Sequence, residues 1–253
     1  MAGHSANVLI GIHSVDSALS NMPGQVRVVR IAQESHNPRV RKLANLAGEL
    51  GIPVAMEPRA LLERRSEGQR HQDIIAEFAA ENLLSEKDLD RVLDSIDGPP
   101  LLLVLDGVQD PHNLGACLRS ADAAGADAVI VPQRRAVGLT PAVHKAACGA
   151  TQRVPLVTVA NLAQALRRLA RAGVTLFGAG AGTGIAYTDA EFVGPLAMVL
   201  GGEGRGLRTL PAELCDQLIH VPMRAGVESL NVSVAAALCL YEARRQRAEA
   251  EGK

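Results

Sequence analysis

Pro99-Pro100-Leu101-Leu102-Leu103-Val104-Leu105-Asp106-Gly107-Val108-Gln109-Asp110-Pro111-His112-Asn113-Leu114-Gly115 is the stretch that decides the architecture. Two prolines punctuate the chain, five consecutive apolar residues read as a strand buried on both faces, and a loop rich in Asp, Gly, Pro and Asn follows. Gly115 to Ala124 then predicts a helix, and Val129 to Val131 the next strand. Strand, loop, helix, strand is the repeating unit of a parallel sheet. The alternation continues through apolar runs at Val154 to Val159, Val174 to Phe177, Leu196 to Leu200 and Leu218 to Val221, with a helical pattern at Leu162 to Arg171. Ser229 to Arg247 closes the chain as a long helix whose apolar face includes Val232, Ala236, Cys239 and Leu240. The expected fold class is α/β, with a parallel sheet covered on both faces.

Upstream of Pro99 the patterns are shorter. Val26 to Ile31 predicts a strand, Val40 to Leu50 a helix capped by Gly51, and Ile52 to Met56 another strand, together a small α/β unit. Charge separates the regions. Residues 1–70 hold nine Lys/Arg against six Asp/Glu, residues 71–97 two against eight, and residues 98–253 fifteen against thirteen. The near-neutral total therefore hides a basic start and an acidic stretch that ends in Asp97-Gly98-Pro99-Pro100. The expected division is an N-terminal domain over 1–78, an acidic linker over 79–98 and a second domain over 99–253. The arginines Arg27, Arg30, Arg39, Arg41, Arg59, Arg64, Arg65 and Arg70 could meet phosphates or be ordinary surface residues.

Composition narrows the class. The chain has 253 residues, 47% hydrophobic and 21% charged, which excludes disordered, collagen-like and coiled-coil proteins. No apolar run approaches the roughly 20 residues needed to span a bilayer, and the start shows no secretory pattern. Cys117, Cys148, Cys215 and Cys239 are widely spaced, so reduced thiols in a cytoplasmic protein are expected. Neither cysteines nor histidines show metal-ligand spacing, and no metal is expected.

Three loops could carry chemistry. The first, Asp106 to Gly115, follows a buried strand, where parallel sheets place ligands, and leads to Arg119 on a small, apolar helix surface where a guanidinium needs a partner. Its turn-forming residues, with Asn113 as a helix cap, also have a purely structural explanation. The second, Leu200-Gly201-Gly202-Glu203-Gly204-Arg205-Gly206-Leu207, holds four glycines in six residues and one carboxylate. Neither it nor Gly178 to Gly184 fits a dinucleotide fingerprint or a phosphate-binding P-loop. The third runs from Val221-Pro222-Met223 through Ser229-Leu230-Asn231 to Ala235, where Ser229 and Asn231 can cap the helix that follows.

Together, in this order, the loops resemble the three signature motifs of the SpoU (TrmH-type) family of RNA ribose 2'-O-methyltransferases, part of the SPOUT superfamily. The resemblance covers Asp106 to Pro132 and Leu200 to Arg247. Gly11-Ile12-His13-Ser14-Val15 and His71-Gln72-Asp73-Ile74-Ile75-Ala76 resemble the small RNA-binding domain of bacterial 23S rRNA guanosine 2'-O-methyltransferases. Val8-Leu9-Ile10-Gly11 departs from that pattern, which has an aromatic before the glycine.

The resemblance implies a C-terminal knotted (trefoil) parallel-sheet methyltransferase domain with a smaller N-terminal α/β RNA-binding domain (L7Ae/L30e-like). It implies S-adenosyl-L-methionine as cofactor, a homodimer with its active site near the subunit interface, and a guanosine in the peptidyl-transferase region of 23S rRNA as substrate. Cofactor contacts carry over to Gly178, Gly201, Val221, Met223 and Leu230. Catalytic positions carry over to Arg119, with Asn113, Glu203, Ser229 and Asn231 around it. An arginine is almost always charged, so Arg119 is expected to hold the target phosphate and stabilise the developing alkoxide, with the proton acceptor open among phosphate, water and a transiently neutral guanidinium. A chain with no Trp, two Tyr and three Phe is poor in stacking surfaces, so RNA recognition should rest on arginines, backbone and shape. A tRNA ribose methyltransferase would share the three motifs, and a non-catalytic ribosome-assembly protein would share the basic N-terminal segment.

Overall fold

The computed structural model describes residues 8–21, 23–66, 68–78, 83–134, 136–180, 182, 184–202 and 206–252. The chain divides into two compact units, Met1–Glu81 and Asn82–Lys253.

In the first unit the elements run β1 (Val8–Ile10), α1 (Ile12–Asn21), β2 (Val26–Ala32), α2 (Pro38–Glu49), β3 (Val54–Glu57), α3 (Arg59–Arg65) and β4 (Ile74–Phe78). The sheet order is β1-β4-β2-β3, with β2 and β3 parallel and the other pairs antiparallel. Asn37 caps α2 by accepting from the Arg39 amide, and Pro38 opens its first turn. Its end is set by Gly51 at φ +73°, which lets Ile52 N–H reach back to the Ala47 carbonyl. Val15, Leu19, Val29, Val40, Leu43 and Ile74 form the core between the sheet and α1 and α2. Two of the arginines considered for phosphate contact are engaged elsewhere: Arg30 binds Glu77 at 2.7 Å and also Glu57, while Arg65 reaches the same two carboxylates at 3.0 and 3.1 Å. The Glu77 partnership raises the Arg30 pKa, so this network stays charged. Arg27, Arg39, Arg41, Arg64 and Arg70 are exposed and form no ion pair among the described residues.

The second unit contains β5 (Leu83–Ser85), α4 (Leu89–Asp94), β6 (Leu101–Asp106), α5 (Pro111–Ala124), β7 (Ala128–Pro132), α6 (Pro141–Ala147), β8 (Leu156–Val159) and α7 (Leu162–Arg171). It continues with β9 (Thr175–Ala179), β10 (Ile185–Ala186), β11 (Leu196–Gly201), α8 (Thr209–Glu213), β12 (Gln217–His220) and α9 (Val232–Ala250). The described strands form one sheet in the order β10-β12-β9-β11-β6-β7-β8-β5, every neighbouring pair parallel. All six residues of β6 are buried, and the pleat divides them. Leu101, Leu103 and Leu105 join the core under α5 and α9, whereas Leu102 and Val104 face that of α4 and α7. Arg247 ties α9 back to the start of β6 by donating to the carbonyls of Pro99 and Pro100, each at 2.9 Å, and of Gly194 at 2.8 Å.

Within the described residues 83–98, the expected linker is folded into the second unit. β5 extends the sheet beside β8, and Ser85 with Asp88 forms a capping box at the turn that leads into α4. Leu89 and Val92 are buried, and Arg168 of α7 donates to Asp90 at 2.6 Å and to the Glu86 carbonyl at 2.8 Å. The charges lie on one face of a folded segment whose other face packs into the second unit, which is why the boundary falls at Glu81 rather than before Pro99.

Candidate active site

From β6 the chain winds outward through β7 and β8, then returns to the other side, where β11 inserts beside β6. The direction of winding therefore reverses between β6 and β11, and ligands in open parallel sheets bind beyond the carboxyl ends of strands at such a point. The first two motif loops leave those two strands, with Gly201 opposite Asp106 in register.

Close backbone approach explains the glycines. A methyl group on Gly201 would lie 1.9 Å from the Gly206 backbone, and one on Gly202 would lie 2.4 Å from the Gly107 carbonyl oxygen. The loop thus folds onto itself and against the first motif. Beneath it, the Asp106 side chain is fully buried and accepts from Arg208 Nε at 2.7 and 2.9 Å and also from Nη2. This pairing raises the Arg208 pKa and ties the segment after the glycine loop to the end of β6.

The third motif closes the site. Asn231 caps α9, its Oδ1 accepting from the Ser233 amide at 2.9 Å, while its Nδ2 donates to Asn113 Oδ1 at 3.0 Å. Asn113 does not cap α5. Asp110 does so, accepting from the His112 amide, which leaves Asn113 in the first turn with its amide directed at the third motif.

A cavity of about 510 Å³ opens beside these loops, within the range of small-molecule sites. Its lining includes four of the five expected cofactor residues, Gly201, Val221, Met223 and Leu230, together with Ser229. The fifth, Gly178, is not among the lining residues. A methyl there would meet Leu218 Cδ2 at 2.8 Å and Cys215 Sγ at 2.9 Å, so the bare Gly178 lets these side chains pack over β9. Gly180, Leu218, His220 and Glu228 line the cavity and were not expected from the sequence. Position directly after β9 is the available signal for Gly180, and position at the end of β12 for His220. The His220 Nδ1 is buried without a hydrogen-bond partner among the described residues. A mostly aliphatic slot, glycine backbone at its rim and one buried ring nitrogen to satisfy suit an adenosyl group.

Arg119 lies apart from the cavity lining. It is exposed on α5, one turn after Gly115, where α6 packs so closely that a methyl would lie 2.5 Å from Ala146 Cβ. Its Nη1 reaches Cys148 Sγ, just beyond α6, at 3.6 Å. Within one chain, Ser229 lines the cavity, Asn113 and Asn231 are bonded to each other without being among its lining residues, and Arg119 reaches toward the end of α6. Glu203 lies outside the described residues. Among the described residues, no group of three His, Cys, Asp or Glu could hold a metal, and no helix is long and apolar enough to cross a membrane.

A parallel sheet with a cofactor-sized slot at its switch point, lined by the second and third loops and with the first loop packed against both, defines a class. The chain belongs to the SpoU rRNA Methylase family, whose model matches residues 100–241. A second model, for RNA 2'-O ribose methyltransferase substrate binding, matches residues 8–84. The chain is similar to the 23S rRNA (guanosine-2'-O-)-methyltransferase RlmB of Pseudomonas syringae, with 45% identity over 239 residues, 94% of this chain and 95% of that protein. The protein of the same name from Haemophilus influenzae is 47% identical over 241 residues, 94% and 97% of the two chains. Among solved structures, the SpoU methyltransferase AviRb from Streptomyces viridochromogenes in complex with AdoMet superposes with a TM-score of 0.64 at 26% identity, covering 96% of this chain and 90% of that one.

Proposed function

We propose that this chain is an S-adenosylmethionine-dependent enzyme that methylates the ribose 2'-oxygen of a guanosine in 23S rRNA, in the peptidyl-transferase region. The observation that carries the reading is convergence: the first and third motifs, 118 positions apart at Asn113 and Asn231, meet through their side chains beside a slot rimmed by the second. Relatives bearing that activity align with nearly the whole chain, including the first unit. A tRNA-modifying relative covers less, since the TrmH/SpoU tRNA modifying enzyme of A. aeolicus matches 66% of this chain.

When bound, S-adenosylmethionine supplies an electrophilic methyl group. Gly201, Val221, Met223 and Leu230, with Gly180 and His220, would hold it. A ribose hydroxyl is a weak nucleophile, so the chain's own residues must align it and stabilise the charge that forms as its proton leaves. Asn113 and Asn231 brace each other and fix the ends of two motif loops, and the Ser229 hydroxyl offers a hydrogen bond at the slot. Arg119 supplies a planar guanidinium fork that grips the target phosphate and stabilises the alkoxide.

Arg119 does not line the slot within one chain, and Val227, Leu230 and Val234 around the start of α9, with Tyr241 at its middle, expose apolar surface. Both features support a homodimer in which packing on this surface completes the active site. The trefoil-knotted arrangement of the slot is carried over from the family resemblance and forms part of this reading. Four free thiols fit a reducing cytoplasm.

The test is transfer of labelled methyl groups to transcribed 23S rRNA and bulk tRNA, followed by mapping of 2'-O-methyl sites. The expected result is one rRNA guanosine, with loss of label for Arg119→Ala. Label confined to tRNA would overturn the substrate, and Arg119→Lys with full activity would overturn the fork.

A further inference from the structure

We propose that the cleft beside the glycine loop is a nucleotide subsite for the RNA strand, holding a phosphodiester next to the methylated residue. The inference rests on the methyltransferase reading above. The cleft, about 730 Å³, opens at the carboxyl ends of β7 and β8, and its lining includes Arg134, Asn161, Leu207, Arg208, Thr209 and Leu210. It borders the cofactor slot, because Leu207 lines both. In this proposal a strand whose ribose reaches the slot runs its neighbouring nucleotide past this opening.

The chemistry of the walls matches a nucleotide. No carboxylate is among the lining residues, whereas two arginines are. Arg134 is exposed and forms no ion pair among the described residues, so its charge is available to an anion. Arg208 is held in place by the buried Asp106, which takes Nε and Nη2 and leaves Nη1 without a partner among the described residues. That arrangement orients a donor while cancelling its net charge, so Arg134 supplies the attraction and Arg208 the geometry. Leu207 and Leu210, the latter 47% exposed, offer an apolar face for a ribose or base in a chain poor in aromatic stacking surfaces.

The experiment measures equilibrium binding of a 23S rRNA fragment across a salt series, with methyl transfer measured in parallel, for the wild-type chain, Arg134→Ala, Arg134→Lys and Leu210→Ser. Arg134→Ala should weaken binding roughly threefold to tenfold and reduce the slope of log K against log salt by about one unit, the loss of one phosphate contact. Arg134→Lys should keep the slope. Leu210→Ser should weaken binding with the slope unchanged, since no charge is lost. Cofactor affinity should not move in any of them. An unaltered slope in Arg134→Ala, or no RNA binding by the wild-type chain, overturns the subsite. A wild-type chain that binds RNA with the expected difference between variants but transfers no methyl group overturns the proposed function and leaves the subsite standing.

Discussion

Asn231 Nδ2 donates to Asn113 Oδ1 at 3.0 Å, joining the cap of the last helix to the first turn of α5 across 118 positions. Asn231 does two jobs with one amide: its oxygen caps α9 and its nitrogen holds the first motif. The two can be separated. Asn231→Ala should cost about 1 kcal/mol through the lost cap and also lower kcat. Asn231→Ser keeps a capping oxygen but lacks the reach to Asn113, so its melting temperature should stay near wild type while kcat falls roughly tenfold. Thermal denaturation beside steady-state kinetics decides this, and a serine variant with full activity would reduce the bridge to a structural tie.

The buried Asp106 carboxylate depends on a half-exposed partner, Arg208. Removing the arginine strands a charge in the core, whereas removing both leaves nothing to compensate. Arg208→Ala should therefore destabilise by about 2 kcal/mol, less than for a fully buried pair because water can reach the arginine's place. Adding Asp106→Asn should recover part of that loss. Denaturant titration of the two single variants and the double variant reads the coupling directly, and simple additivity would contradict it.

These two contacts mark the limit of what was legible in the sequence. The sheet was readable because β6, β7, β9 and β11 are runs of apolar residues, and burial on both faces leaves that signature in one dimension. The motif loops were readable because glycines and asparagines at strand ends stand out against such runs. β5 and α4 were not, since Asp88, Asp90 and Asp94 dominate the composition while Leu89 and Val92 carry the packing, and the pairing of β5 with β8 spans more than seventy positions. Gly178 carries over from the family resemblance as a cofactor contact, and the packing of Cys215 and Leu218 against it leaves no trace in the sequence. Asn113 and Asp110 are both good capping residues three positions apart, and the sequence alone does not say which of them starts α5.

His144 sets an acid limit on stability. It is buried, with Nδ1 3.1 Å from Thr151 Oγ1, and burial holds its pKa below the ordinary value near 6.5. Between the lowered folded value and the ordinary unfolded one, the unfolded chain binds a proton that the folded chain does not. The contribution is full above pH 6.5 and declines as pH falls through that window, by no more than about 1.4 kcal/mol per pH unit. Melting temperatures from pH 8 to pH 5 should show this decline in the wild-type chain and a shallower one in His144→Gln. Equal slopes would assign the acid loss to other groups.

Cys148 offers a chemical handle on Arg119. Of the four thiols it alone is exposed; Cys117 and Cys239 are buried, Cys215 is half-buried, and burial pushes the pKa of both Cys215 and Cys239 up to about 12. Only the thiolate is nucleophilic, so a maleimide at pH 7.5 should modify Cys148 well before the others. Its sulfur lies 3.6 Å from Arg119 Nη1, and an added ring there displaces the guanidinium or blocks its approach to phosphate. One equivalent of label should lower methyl transfer roughly tenfold to a hundredfold without altering cofactor affinity, because Cys148 is not among the residues lining the slot. Cys148→Ser should resist both the label and the loss. Full activity in a chain shown by peptide mapping to be modified at Cys148 would mean that the surroundings of Arg119 tolerate bulk, and would place the reacting phosphate elsewhere.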